Sequence, residues 1–225
     1  NKLFNGFKNG CNYYSVDLVG GNVSMSESLM LDIGVFGEVL NDRFKERKAS
    51  RVGDLIYVTG KIGDGSLGLD LLRKKKRFTF KEKLIISKYK SPRARVKLGL
   101  FLGQLKFLTS MIDITDGLSL DLRRLLGPIS SGRGATLIWE DIPKTDCISS
   151  PVSTSKLMKS VLSGGDDYEL LFTIKKTRAK HFEDLCKKNN FKVFRIGFGD
   201  STANLSLIRG GRAISLKSQG FVHRF

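Results

Sequence analysis

The stretch Met111-Ile-Asp-Ile-Thr-Asp-Gly-Leu118 decides how this chain is read. An apolar run, Phe107-Leu108 and then Met111-Ile112, ends in two carboxylates three residues apart, with the hydroxyl of Thr115 between them. Gly117 follows, and Leu118, Leu122, Leu125 and Leu126 then recur at the spacing that marks one buried face of a helix. The pattern predicts a buried segment that delivers Asp113, Thr115 and Asp116 to the mouth of a helix. Residues i and i+3 share one side of a helical turn, so the reading brings the two carboxylates together. Carboxylates that close repel one another unless a cation or a hydrogen-bond network lies between them. Mg²⁺ takes oxygen ligands and often uses one or two carboxylates plus a substrate phosphate. The competing reading is a helix cap, because Asp and Thr side chains accept the first free backbone N–H groups of a helix. The spacing leaves both open.

Working outward, the C-terminal side holds a second acidic, glycine-marked turn, Ser163-Gly-Gly-Asp-Asp-Tyr-Glu169, which runs into an apolar strand, Leu170-Leu-Phe-Thr-Ile174. Gly127-Pro128 ends the leucine helix. A strand over Ala135–Trp139, a short helix over Lys156–Leu162 and a helix over Thr177–Asn189 are expected, with residues 141–155 irregular. Strands follow at Phe191–Phe198, Leu205–Arg209 and Ala213–Leu216. On the N-terminal side the spacing predicts a helix over residues 2–14 and a short strand over Ser15–Val19. That strand stops at the Gly20-Gly21-Asn22 turn, whose exposed N–H groups could take a phosphate. Near-alternation of Leu29, Leu31, Ile33, Val35 and Val39 predicts a half-buried strand over Leu29–Leu40. The polar stretch Asn41–Ser50 marks a domain boundary. Gly53–Gly60 reads as turn, strand, turn. Helices are expected after Ile62-Gly-Asp-Gly-Ser-Leu-Gly68, over Lys81–Lys90, which Pro92 ends, and over Ala94–Leu108. Strands alternating with helices give an α/β or α+β class.

The 225 residues are enough for one large domain or two small ones, and 40% hydrophobic content fits a packed core. No apolar run is long enough to span a bilayer, and the chain opens without a basic-then-apolar leader. It also opens without Met, so a fragment is expected. Cys11, Cys147 and Cys186 are too scattered for a zinc site or a disulfide framework, which favours a reducing compartment, most simply the cytoplasm. The net charge of +17, from 39 Lys and Arg against 22 Asp and Glu, attracts polyanions. Its densest run, Arg73-Lys-Lys-Lys-Arg77 with Lys81, Lys83, Lys88 and Lys90, has no interleaved aromatic platform. A solvated helix face is therefore preferred to a nucleic-acid surface, although phosphate-bearing small substrates would also gain from the field.

Taken in order, Gly20-Gly-Asn22, Asp113-Ile-Thr-Asp-Gly117 and Ser163-Gly-Gly-Asp-Asp-Tyr-Glu-Leu170 resemble the motifs of thiamine-monophosphate kinase, a family within the aminoimidazole-ribotide-synthetase-like superfamily. Arg47 ahead of Val52-Gly-Asp-Leu-Ile-Tyr-Val-Thr-Gly60 adds to the resemblance. So do Gly34-x-x-Gly-Glu38, Gly63-Asp-x-Ser-x-Gly68, Arg95-Val-x-x-Gly99 and Gly220-Phe-x-His223. The resemblance covers essentially the whole chain and implies two α/β domains. Residues 1–45 would be the C-terminal remainder of an ATP-binding, dimerising N-terminal domain, and residues 46–225 the C-terminal domain. It implies phosphoryl transfer from ATP to thiamine monophosphate with Mg²⁺, more than one ion, and a homodimer with no membrane partner. By the same resemblance Asn22, Asp113 and Asp116 would ligate metal, and Gly21, Asn22, Arg47 and Thr115 would contact ATP. Asp166, at a position where the family has Glu, and Phe221 would contact the thiamine substrate. Asn22 departs from the family's Asp and removes one negative charge, and Val23-Ser-Met-Ser departs from its Thr-Thr-Arg-Gly pattern. The rival readings are a sister enzyme of the superfamily, a weakened relative that binds ATP without turnover, and a basic nucleic-acid-binding module.

Overall fold

The computed structural model describes residues 2–40, 43–74, 77–145 and 153–221. Cys147 and His223, both singled out in the sequence, lie outside the described residues. The chain divides into two compact units, Asn1–Leu40 and Asn41–Phe225.

In the first unit the apolar spacing of residues 2–14 does form a helix, α1 (Lys2–Tyr14). The strands expected over Ser15–Val19 and Leu29–Leu40 do not form: both stretches lack regular structure, and Val19, Leu29, Val35 and Phe36 are exposed. Alternation chooses which side chains share a face, but a strand exists only where a partner supplies the ladder hydrogen bonds. Among the described residues no strand pairs with either stretch.

The second unit is built on a seven-stranded sheet in the order β2-β4-β1-β5-β3-β6-β7. Its strands are β1 (Leu55–Val58), β2 (Leu108–Ile114), β3 (Gly134–Ile138), β4 (Glu169–Ile174), β5 (Phe194–Asp200), β6 (Leu205–Arg209) and β7 (Arg212–Leu216). Neighbouring strands are antiparallel except β3 and β6, which are parallel. The helices are α2 (Asp64–Lys74), α3 (Phe80–Lys90), α4 (Val96–Gly103), α5 (Leu118–Leu126), α6 (Thr154–Ser163) and α7 (Ala179–Lys188).

Successive strand side chains point to opposite faces, and the core divides accordingly. Ile56 and Val58 of β1 join Ile112, Ile114, Leu171 and the α5 leucines on one face; Tyr57 joins Phe172, Phe182, Leu98 and Leu102 on the other. The Phe182 ring meets Tyr57 edge-on at 5.2 Å and Phe172 edge-on at 5.7 Å. A third cluster, Leu67, Leu71, Ile85 and Ile86, joins α2 to α3. Thr79 and Glu82 begin α3 with a reciprocal capping box, a device worth about 1 kcal/mol.

Several expected boundaries move, and α2 begins at Asp64, inside the glycine motif, rather than after Gly68. The helix expected over Ala94–Leu108 ends at Gly103, because Leu108 already begins β2. The strand expected over Phe191–Phe198 begins at Phe194 instead, after Asn190 takes a left-handed turn at φ 56°.

Candidate functional site

Strand pairing brings the two acidic turns together. β2 and β4 are antiparallel, with Asp113 opposite Leu170 and Ile114 opposite Glu169. The end of β2 therefore lies against the start of β4, and the turns at 114–117 and 163–168 meet beyond the sheet. Asp166 N–H donates to the Thr115 carbonyl at 2.9 Å, and Tyr168 N–H to the Ile114 carbonyl at 2.9 Å. Gly117 has φ 126°, and a Cβ there would lie 2.9 Å from the Ser163 carbonyl carbon. A side chain would separate the turns at that point.

Asp113 belongs to β2 and α5 starts only at Leu118, so the two carboxylates are not on one helical turn as the spacing suggested. Nor does either cap the helix. The N-cap position is Gly117, which has no capping side chain. The turn ahead of the helix is instead bonded by Asp121, which is fully buried. Its Oδ2 accepts the N–H groups of Thr115 at 3.0 Å, Asp116 at 2.9 Å and Gly117 at 3.1 Å. Arg124 donates through one guanidinium nitrogen to Asp121 Oδ1 at 2.7 Å and also to Asp116 Oδ2. The bond to Asp116 holds the Arg124 pKa above its ordinary value, outweighing partial burial. Asp113 is exposed and, among the described residues, has neither an ion pair nor a hydrogen bond; the Thr115 hydroxyl likewise has no partner there.

Asp166 and Tyr168 both take left-handed backbone conformations, at φ 66° and 52°, which cost a non-glycine residue about 1–2 kcal/mol each. The Tyr168 hydroxyl lies 3.3 Å from Asp166 Oδ1. Its pKa is raised first by burial and then by the charges of Asp166, Asp113 and Asp116. One phenol thus senses all three carboxylates. Between them Asp167 points inward, accepting Gly63 N–H at 2.7 Å and Gly65 N–H at 3.0 Å. Burial pushes its pKa up to about 7 despite those two donors. Glu169, also buried, accepts Thr59 Oγ1 at 2.6 Å and Arg95 through two guanidinium nitrogens.

Phe221 reaches the same mouth. Its N–H donates to the Asp116 carbonyl at 2.9 Å, and Gln219 exchanges hydrogen bonds with the Ser119 hydroxyl. The Phe221 ring is exposed. Asp113, Thr115, Asp116, Asp166 and Phe221 are therefore gathered in the second unit. Arg47 belongs to that unit too, exposed, on a segment pinned by Met111 N–H to the Glu46 carbonyl and Lys48 N–H to the Leu125 carbonyl. Gly21 and Asn22 lie in the first unit, exposed and without regular structure. Sequence reasoning gave no role to Asp121, Arg124, Asp167, Tyr168 or the Arg95–Glu169 pair. The one available signal was an acidic residue in the first turn of a predicted helix.

Among the described residues no three His, Cys, Asp or Glu side chains converge to hold a metal ion by themselves. Hard oxygen donors on Asp113 and Asp116 beside a guanidinium suit a cation whose remaining ligands come from a phosphate and water. No helix among the described residues is long and apolar enough to cross a membrane.

No family model matches the chain. It is 32% identical over 218 residues to the thiamine-monophosphate kinase of Buchnera aphidicola subsp. Schizaphis graminum, covering 94% of this chain and 65% of that protein. Against the thiamine-monophosphate kinase of Aquifex aeolicus it is 32% identical over 189 residues, covering 82% of this chain and 59% of the relative. The chain thus spans about two thirds or less of the length of these relatives. Among solved structures, AaThiL complexed with AMPPCP and TMP superposes with a TM-score of 0.72 at 26% identity, covering 96% of this chain and 65% of that one. The mixed α/β fold is the one those kinases have, the aminoimidazole-ribotide-synthetase-like fold.

Proposed function

We infer that this chain belongs to the thiamine-monophosphate kinase family, and we propose that the intact protein transfers the terminal phosphoryl group of ATP to thiamine monophosphate. The products are thiamine diphosphate and ADP. What carries the reading is the cross-bonded pair of acidic turns, 114–117 on 163–168, in a chain 32% identical to a named kinase of this family.

The residues take these roles. Asp113 and Asp116 would hold Mg²⁺, and Asn22 would offer a neutral carbonyl oxygen to a further ion. When bound, the metal supplies neutralisation of the phosphate charge. Thr115 and the Gly21–Asn22 turn contact ATP, and Arg47 pairs with a nucleotide phosphate, for which a planar guanidinium is suited. Asp166 and the Phe221 ring hold the thiamine substrate. An oxygen of the monophosphate attacks the terminal phosphorus in line; the new P–O bond forms as the bond to the ADP oxygen breaks. That oxygen is already ionised near neutral pH, so no general base is assigned, and positioning with charge neutralisation does most of the work. Residues 1–45 form the end of an N-terminal domain through which a homodimer assembles in the cytoplasm.

The test uses the intact protein with ATP, Mg²⁺ and thiamine monophosphate, assayed for thiamine diphosphate. Product that falls by orders of magnitude in Asp113→Ala is the expected result, and near-normal turnover in that variant sinks the assignment. ATP binding without product would turn attention to Asn22→Asp as the restoring substitution. Absence of both would leave the fold without this function.

A further inference from the structure

Asp121 lies behind the candidate metal-binding pair. It belongs to the first turn of α5. Its carboxylate is fully buried. Removing an ion from water costs several kcal/mol unless it is paired and hydrogen-bonded. Here four donors meet it: the N–H groups of Thr115, Asp116 and Gly117, and Arg124. An ordinary cap bonds the first N–H groups of the helix from the residue just before it. Asp121 does the reverse, reaching back from inside α5 to three consecutive N–H groups that precede the helix. Those groups belong to the turn that carries Asp116. Arg124 then ties the Asp116 side chain to the same carboxylate, since one of its nitrogens donates to both. Backbone and side chain of Asp116 are thus oriented by one buried anion.

We propose that Asp121, acting with Arg124, is a positioning residue that fixes the Thr115–Gly117 turn and so sets the affinity of Asp113 and Asp116 for a divalent cation. The proposal rests on the kinase reading only in taking those two carboxylates as the cation's ligands. Residues that orient metal ligands typically change metal affinity or activity by about 10–100-fold when lost.

The experiment measures Mn²⁺ binding to the intact, nucleotide-free protein by the loss of free-ion paramagnetic resonance. Two variants are compared with wild type. Asp121→Asn keeps the shape but turns a donor toward Arg124, and it should raise the Mn²⁺ half-saturation concentration about 10–100-fold. Arg124→Lys keeps the charge on a partly exposed side chain and loses the bridge, so a rise there reports geometry and not electrostatics. Its folding is not at risk if the buried substitution proves too severe. A half-saturation within twofold of wild type in Arg124→Lys and in a folded Asp121→Asn overturns the proposal, as does a wild type that takes up no Mn²⁺. A wild type that binds Mn²⁺ but makes no thiamine diphosphate, with both variants shifted, defeats the kinase reading and leaves the positioning role standing.

Discussion

Gly117→Ala tests whether the two acidic turns are held as closely as described. The residue has φ 126° and ψ 143°, a region open essentially to glycine alone, and an alanine there carries a backbone cost of about 1–3 kcal/mol. Its Cβ would also sit 2.9 Å from the Ser163 carbonyl carbon, 3.0 Å from its oxygen and 3.1 Å from its Cα. All three atoms are backbone, so the 163–168 turn must shift, and overpacking of this kind costs a further 1–3 kcal/mol or so. Gly127 provides the comparison. Its φ is 89°, but its Cβ would meet only the end of the Arg133 side chain, at 2.9 Å, and the Lys48 side chain, at 3.6 Å. Gly127→Ala should carry the backbone cost alone. Urea unfolding of both variants should therefore place Gly117→Ala below Gly127→Ala by about 1–3 kcal/mol. Equal stabilities, or a Gly117→Ala loss under about 0.5 kcal/mol, would refute the close apposition and with it the meeting of Asp116 and Asp166 at one mouth.

Three further outcomes are expected. The folded Asp167 carboxyl titrates near 7, above its ordinary 3.8, so the folded state binds the proton more tightly than the unfolded chain; its stability contribution is full below 3.8, falls as pH rises toward 7 and is flat beyond. The span is about 4 kcal/mol at most, and thermal midpoints between pH 4 and 8 should fall less steeply with pH in Asp167→Asn; identical slopes would contradict the assignment. Phe182→Ala removes a fully buried ring from the Tyr57–Phe172 cluster and should cost about 3–5 kcal/mol in denaturant unfolding; a loss under about 1 kcal/mol would mean the cluster is not packed. Phe221→Ala alters an exposed ring, so it should leave the unfolding midpoint unchanged and raise the KM for thiamine monophosphate; an unaltered KM would remove Phe221 from the substrate site.

What the sequence made legible follows the reach of each signal. The apolar run into Asp113 predicts only a buried segment, which the structure makes the strand β2; the leucine period after Gly117 is local, and α5 forms where that period predicts it. The same holds for α1, α3 and β4, whose patterns are set within about a dozen residues. The strands read over Ser15–Val19 and Leu29–Leu40 failed because alternation carries no information about a partner. Asp113 and Asp116 were placed on one helical turn because spacing three looks helical, whereas the strand continues through Ile114. Long-range contacts left no trace at all. Glu169 meets Arg95 across 74 residues, and Asp167 meets Gly63 across 104. Asp121 is the intermediate case: an acid in the first helical turn is a visible signal, but the target of its carboxylate depends on the path of the chain before the helix.

A chain with net charge +17 has built its candidate site from carboxylates, and the partners of those carboxylates explain how the two coexist. Asp121 and Glu169 are buried with guanidinium partners and Asp64 with the Lys88 ammonium at 2.6 Å, while Asp167, half-buried, accepts two backbone N–H groups. The guanidinium partners of Asp121 and Glu169 offset those two charges where they stand, so less of their repulsion reaches the mouth. Asp116 shares Arg124 with Asp121 and retains partial exposure, while Asp113 is exposed without a partner among the described residues. The attraction for a cation is thus concentrated on Asp113, with Asp116 next to it. Over longer distances the excess of lysine and arginine acts the other way: it repels a bare divalent cation and draws in anions. On the kinase reading, a metal already carried on a nucleotide, with net negative charge, would be steered in by the surface and then met by the carboxylates. On the kinase reading, metal and nucleotide arrive as one complex, and raising the salt concentration should slow its capture far more than it weakens the short-range contacts at Asp113.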